Sequence, residues 1–296
     1  MYNIVIKIII HNNAVWCLRR LFMYTRPILY KIYSIYTIAV AALSFLSSIA
    51  ILFVAVPTKG IDIPYVDVII KSCAITTSVI SLFFAYVNFS SMFTFAQMIQ
   101  YENSPQPGPF KKPPFVLPAK FYSKFGFAIT MITFLISLVS VIVLIITESV
   151  VHQTFFAVPV LKIIPFILFI VLVYITYYVR YKAFGDLLDL LSKSEPDPLT
   201  LNNIKENKPG VLRGYCVFLF GFAFAVLAAL IVLGFIFAGT ISSIVGILGT
   251  VFLYIYGFIC YVIFFIELAI TGCYFDNLAK MLEHYMIKYK LLSHKI

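Results

Sequence analysis

Residues 214–266 read GYCVFLFGFAFAVLAALIVLGFIFAGTISSIVGILGTVFLYIYGFICYVIFFI, 53 positions without one formal charge. A helix rises 1.5 Å per residue, so a single helix of this length would be about 80 Å long. A bilayer's hydrocarbon core is roughly 30 Å thick and is crossed by about 20 apolar residues. The stretch therefore holds two crossings, with Gly239-Thr240-Ile241-Ser242-Ser243 as the expected turn between them. The whole composition agrees. Of 296 residues, 62% are hydrophobic and 11% charged, with mean hydropathy +1.02. A soluble chain is nearer half apolar and about a quarter charged. With so few polar residues, a water-soluble globule could not cover this much apolar surface. Disorder is excluded by the same excess.

Working outward, the gaps between charges supply the remaining crossings. Lys31 to Lys59 encloses 27 uncharged residues, Lys71 to Glu102 encloses 30, and Lys124 to Glu148 encloses 23. Lys162 to Arg180 encloses only 17, which Phe155–Leu161 extends if Lys162 lifts its ammonium to the interface. The expected fold is all-α, a polytopic six-helix transmembrane bundle with crossings at about 35–56, 68–94, 125–147, 157–179, 215–238 and 244–270. A basic N-terminal arm (1–34) precedes it, and a basic amphipathic tail (271–296) follows.

Charge orients the scheme. The arm carries Lys7, Arg19, Arg20, Arg26 and Lys31, and the loop after the second crossing Lys111, Lys112, Lys120 and Lys124. Arg180, Lys182, Lys193, Lys205, Lys208 and Arg213 follow the fourth, and the tail holds Lys280, Lys288, Lys290 and Lys295. These segments hold 19 of the 22 basic residues, and six crossings put them all on one side. The positive-inside rule then predicts both termini in the cytosol, against an anionic leaflet. The net charge of +10 is therefore read as a membrane signal, with no nucleic-acid partner expected. Met1–Ile10 is too short to span and is interrupted by Lys7; with Trp16, Phe22 and Tyr24 it reads as an arm lying on the membrane surface.

The three hairpins also align with one another. Pro27, Pro118 and Pro209 stand 91 residues apart ahead of the odd-numbered crossings. Phe95, Phe184 and Phe275 follow the even-numbered ones, in FAQMIQ, FGDLLDLL and FDNLAKML. The pattern is read either as three two-helix pseudo-repeats or as three hairpins of similar length that align by hydropathy alone. The Pro-x-Asp/Glu-x-x-Lys/Arg signature of mitochondrial carriers, which share that plan, is missing.

Between crossings, the proline-rich loop Tyr101–Lys124 reads as a semi-rigid spacer. Lys182–Leu191 and the tail read as amphipathic helices on the membrane surface. Cys17 and Cys273, near the cytosolic interface, are candidate lipidation sites.

Inside the membrane, Thr77, Ser81 and Asn88 share one helix face. With Glu267 they form the candidate polar site. Gly221, Ala225 and Ala229 on one helix, and Gly246, Thr250 and Gly257 on the next, are small-residue faces expected to pack the fifth crossing on the sixth. Glu148 and His152 read as a surface pair. The four histidines stand in no metal or hydrolase motif, so neither catalysis nor a cofactor is expected. The function expected is that of a non-catalytic membrane protein acting through helix packing, lipids, a protein partner or a second copy. The alternative is a small-solute transporter, channel or chemoreceptor with a path among the helices.

Overall fold

The computed structural model describes residues 27–51, 53, 66–103, 108–152 and 167–291. The N-terminal arm to Arg26, including Cys17 and Trp16, lies outside the described residues, as do the side chains of Glu148 and His152. Among the described residues all regular structure is helical: α1 (Pro27–Ile51), α2 (Val66–Asn103), α3 (Ala119–His152), α4 (Ile167–Leu191), the short α5 (Pro198–Glu206) and α6 (Pro209–Lys288). A π-helical turn, Tyr174–Val179, lies inside α4. Among the described residues, six helical segments are long and apolar enough to cross a membrane: α1, α2, α3, α4 and one in each arm of α6. The chain is thus an all-α, multi-pass integral membrane protein.

The proline spacing marks the helix starts. Pro27 and Pro209 occupy first helical positions and Pro118 stands just before α3, where a missing N–H costs nothing. The arms of α6 fold back on each other at Gly246 (φ 72°, ψ 171°), a conformation open to glycine and strained for other residues. The reversal expected at Gly239–Ser243 thus has its non-helical residue slightly later. Across it, the Tyr254 hydroxyl donates to the Gly234 carbonyl at 2.6 Å and the Tyr261 hydroxyl to the Ala223 carbonyl at 3.1 Å.

The chain divides into two compact units, Met1–Val116 and Leu117–Ile296. In the first, α1 pairs with α2 through a hydroxyl contact between Ser48 and Ser78, both buried. In the second, α3 packs on α4, and α4 meets α6.

Burial within both units changes along each helix. Ile132, Leu135, Ile136 and Val139 of α3 and Phe252, Tyr256 and Phe258 of α6 are exposed, as the crossing segments generally are. Toward the basic ends the same helices close up: Val87 to Ile99 on α2, Val179 to Leu191 on α4, and Tyr274 to Met286 on α6 supply most of the core. Lipid tails are as apolar as leucine, so nothing drives apolar side chains together within the bilayer. Water beyond it does. The core is thus concentrated toward the basic ends of the helices, with fewer buried positions such as Ala41, Ser48, Leu219 and Ala223 along the crossings.

This rule revises two expectations. Phe184, Leu187, Leu188 and Leu191 are buried inside their unit rather than laid on a membrane surface. Leu278, Met281, Leu282 and Tyr285 are buried likewise, in a helix that continues the last crossing without a break.

Candidate functional site

The three phenylalanines that follow the even-numbered crossings are fully buried, and each meets a tyrosine near the start of α1, α3 or α6. Tyr30 lies 6.0 Å from Phe95, while Tyr122 and Tyr215 stand edge-on to Phe184 and Phe275, at 4.8 Å in both cases. Edge-to-face contact aims the positive ring rim at the negative face and adds to the gain from burial. Residues three and four places beyond each phenylalanine are buried with it: Met98 and Ile99, Leu187 and Leu188, Leu278 and Ala279. The hairpins thus share one packing scheme at their basic ends.

The second unit adds a cation to this scheme. The segment Tyr174–Lys182 reads YITYYVRYK, and Arg180 is only 5% exposed despite its charge. Its guanidinium lies 4.5 Å over the Tyr274 ring, 5.0 Å from that of Tyr181 and 5.8 Å from that of Phe275. A desolvated cation over aromatic faces gains about 2 kcal/mol, and the flat guanidinium stacks where an ammonium does not. The Thr176 hydroxyl donates to the Tyr215 hydroxyl at 2.8 Å, tying the π-helical turn to α6. The cluster therefore joins α3, α4 and both arms of α6, and what it offers chemically is adhesion.

Two glycines bring α3 and α4 together. A Cβ on Gly126 would stand 2.5 Å from the Tyr177 carbonyl oxygen, and one on Gly185 2.7 Å from that of Ala119. Backbone cannot yield as a side-chain tip can. Gly126→Ala and Gly185→Ala are each expected to cost about 1–3 kcal/mol through overpacking. Gly221→Ala and Gly257→Ala, where a Cβ meets open space, are expected to be neutral or to stabilise by up to about 1 kcal/mol through helix propensity. Thermal unfolding in detergent separates the two pairs, and equal effects would contradict the packing.

Ion pairs rim the cluster. Lys182 pairs with Glu206 at 2.9 Å, and Arg213 reaches across α6 to Glu283 at 2.5 Å. Lys193 bridges Asp189 at 2.7 Å, the Thr200 hydroxyl at 2.6 Å and Asp197 at 3.3 Å. Asp197 caps α5 by accepting the Thr200 N–H at 2.8 Å. The Thr200 hydroxyl and N–H, with Lys193 behind them, hold the Asp197 carboxylate at about 2, below its ordinary 3.8. A depressed acid stabilises the fold above its unfolded value and ceases to as pH falls through the folded one. Exchange of the Thr200 amide hydrogen should therefore accelerate, relative to its neighbours, between about pH 4 and pH 2. Asp197→Asn should abolish that step; a step of unchanged size in the variant would contradict the cap.

The sequence-derived candidates are placed differently. Thr77 and Ser81 are exposed and Asn88 half-buried, while the adjacent Ser78 makes the contact to α1. Glu267 is half-buried in α6, in the other compact unit. Gly221, Ala225, Ala229 and Gly257 point outward. Gly246 is the break in α6, and the Thr250 hydroxyl donates to its carbonyl at 2.8 Å. The arms of α6 meet instead through Ala223, Tyr261 and the pairs Phe222–Phe264 and Phe224–Phe265. Bulky rings bridge the gap that a glycine ladder would have closed. Cys273 is exposed. Among the described residues no three His, Cys, Asp or Glu side chains are grouped to hold a metal ion.

Sequence reasoning missed Arg180, Gly126 and Gly185. By charge alone Arg180 reads as a loop residue, because it ends an uncharged run. The signal available was the tyrosine interleaving of YITYYVRYK, four places before a phenylalanine of the repeat. No family model, no curated protein and no solved structure matches the chain.

Proposed function

We propose that the chain is a non-catalytic membrane protein with both termini in the cytosol, acting through anionic lipids of the cytosolic leaflet and through a protein partner or second copy. One observation carries the reading. In the most apolar window of each crossing only 6% to 33% of the residues are buried within the chain, whereas the basic ends are closely packed. The structure thus supplies firm ends and leaves long apolar faces for lipid or another helix to cover. Small-residue positions such as Gly221, Ala225 and Ala229 lie on such uncovered faces and suit close approach by a partner helix.

Cysteine labelling tests this. In a cysteine-free background, Thr77→Cys and Ser81→Cys should resist a membrane-impermeant maleimide in intact and in opened vesicles, because both face lipid. Ser194→Cys, exposed between α4 and α5, is the positive control. Modification at both Thr77 and Ser81 would reveal an aqueous path and favour a transporter, channel or chemoreceptor instead.

A further inference from the structure

The loop after α2 does not project as a free spacer. It contains Gly108-Pro109-Phe110-Lys111-Lys112-Pro113-Pro114-Phe115, and both phenylalanines are docked on α2. Phe110 is buried edge-on against Tyr101, with ring centroids 5.6 Å apart, and the Tyr101 hydroxyl donates to the Gly108 carbonyl at 2.5 Å. Phe115 packs on Phe89 at 5.5 Å and Phe93 at 5.3 Å. Its carbonyl accepts from the Tyr86 hydroxyl at 2.9 Å and from Ser90 at 3.4 Å. Tyr101 and Phe89 are separated by about 18 Å of helix, so the strap runs back along α2 toward the membrane. Pro113 and Pro114 restrict it, and the Val116 N–H closes a turn on the Pro113 carbonyl at 3.1 Å.

Lys111 and Lys112 are therefore held between two anchors. Lys31 of α1 marks the same height independently, its ammonium 5.4 Å over the Phe93 ring and donating to the Gln100 side-chain Oε1 at 2.9 Å. That height is where the apolar run of α2 ends. Lys111 and Lys112 are exposed, and among the described residues neither makes an ion pair.

We propose that this strap is a binding site for the headgroup of an anionic phospholipid. Lys111 and Lys112 hold the phosphate, and the docked phenylalanines keep both ammoniums at headgroup depth. The proposal rests on the cytosolic placement of this loop argued above and adds the residues and the ligand class. Anchoring matters because a strap ordered beforehand loses less freedom on binding than a mobile one.

Native mass spectrometry of the full chain in detergent, with added phosphatidylserine or phosphatidylcholine, tests it. The chain should retain phosphatidylserine preferentially. Lys111→Gln with Lys112→Gln, which leaves both anchors in place, should weaken that retention about 25-fold, at roughly fivefold per lysine. Phe115→Ala keeps both charges but frees the strap, and should weaken retention several-fold. Tyr86→Phe, which deletes only the hydrogen bond to the Phe115 carbonyl, should act in the same direction, so the test survives if Phe115→Ala misfolds. Equal retention of the two lipids would overturn the proposal. So would wild-type retention in both anchor variants, or displacement of the lipid by an equal concentration of inorganic phosphate. Lipid retained in detergent by a chain whose loop proves to face the other compartment would refute the orientation and leave the site standing.

Discussion

Phe184→Ala is expected to lower the unfolding free energy by about 3–5 kcal/mol, and Phe95→Ala and Phe275→Ala by similar amounts. Each ring is fully buried, each has a tyrosine against it, and each sits in the part of its helix where the core is built. Truncation there loses burial against water and leaves a cavity, because the residues three and four places on are locked as well. The same change on a lipid-facing ring, such as Phe258→Ala, should cost far less, because lipid fills the space. Chemical denaturation of the reconstituted chain, read by protection from proteolysis, measures all four. A neutral result at one of the three buried positions would break the equivalence of the hairpins.

Arg180→Ala is the second large effect, a loss of about 2–4 kcal/mol from removed packing and removed cation–aromatic attraction. Two further substitutions divide those contributions. Arg180→Lys keeps the charge but cannot stack flat on Tyr274, and should recover less than half of the loss. Arg180→Met keeps the stem without the charge and should recover the packing part alone. If Arg180→Met restored full stability, the aromatic rings would be holding a hydrocarbon stem and the cation would be irrelevant. Thermal midpoints for the series, in one detergent and at one pH, decide between the two.

The chain displays some of this in its letters and hides the rest for physical reasons. Crossings are legible because charge is costly in hydrocarbon, so uncharged runs mark them and Lys/Arg-rich loops mark their ends. The buried phenylalanines are legible as a spacing because the three hairpins place them alike. Helix faces are not. Thr77 and Ser78 differ by one position and 100° of rotation, and hydropathy cannot distinguish a lipid-facing side from a protein-facing one when both are apolar. The glycine ladder at Gly221 was the most visible small-residue pattern, yet the closest approaches are at Gly126 and Gly185, single glycines among aromatic residues. Arg180 escaped notice because a composition count assigns charge to water. The docking of the proline-rich loop is hidden because Phe115 pairs with Phe89 and Phe93, rings of α2 that read as lipid-facing.

Six crossings and one shared side for all the basic segments underlie every other statement about orientation. Reporter tags at Met1 and Ile296, with a third within residues 104–107, give the most direct measurement when scored for protease protection in sealed vesicles. The account predicts that all three tags fall in the same compartment, the cytosol. Opposite sides for the two termini, or a proline-rich loop across the membrane from both, would contradict it.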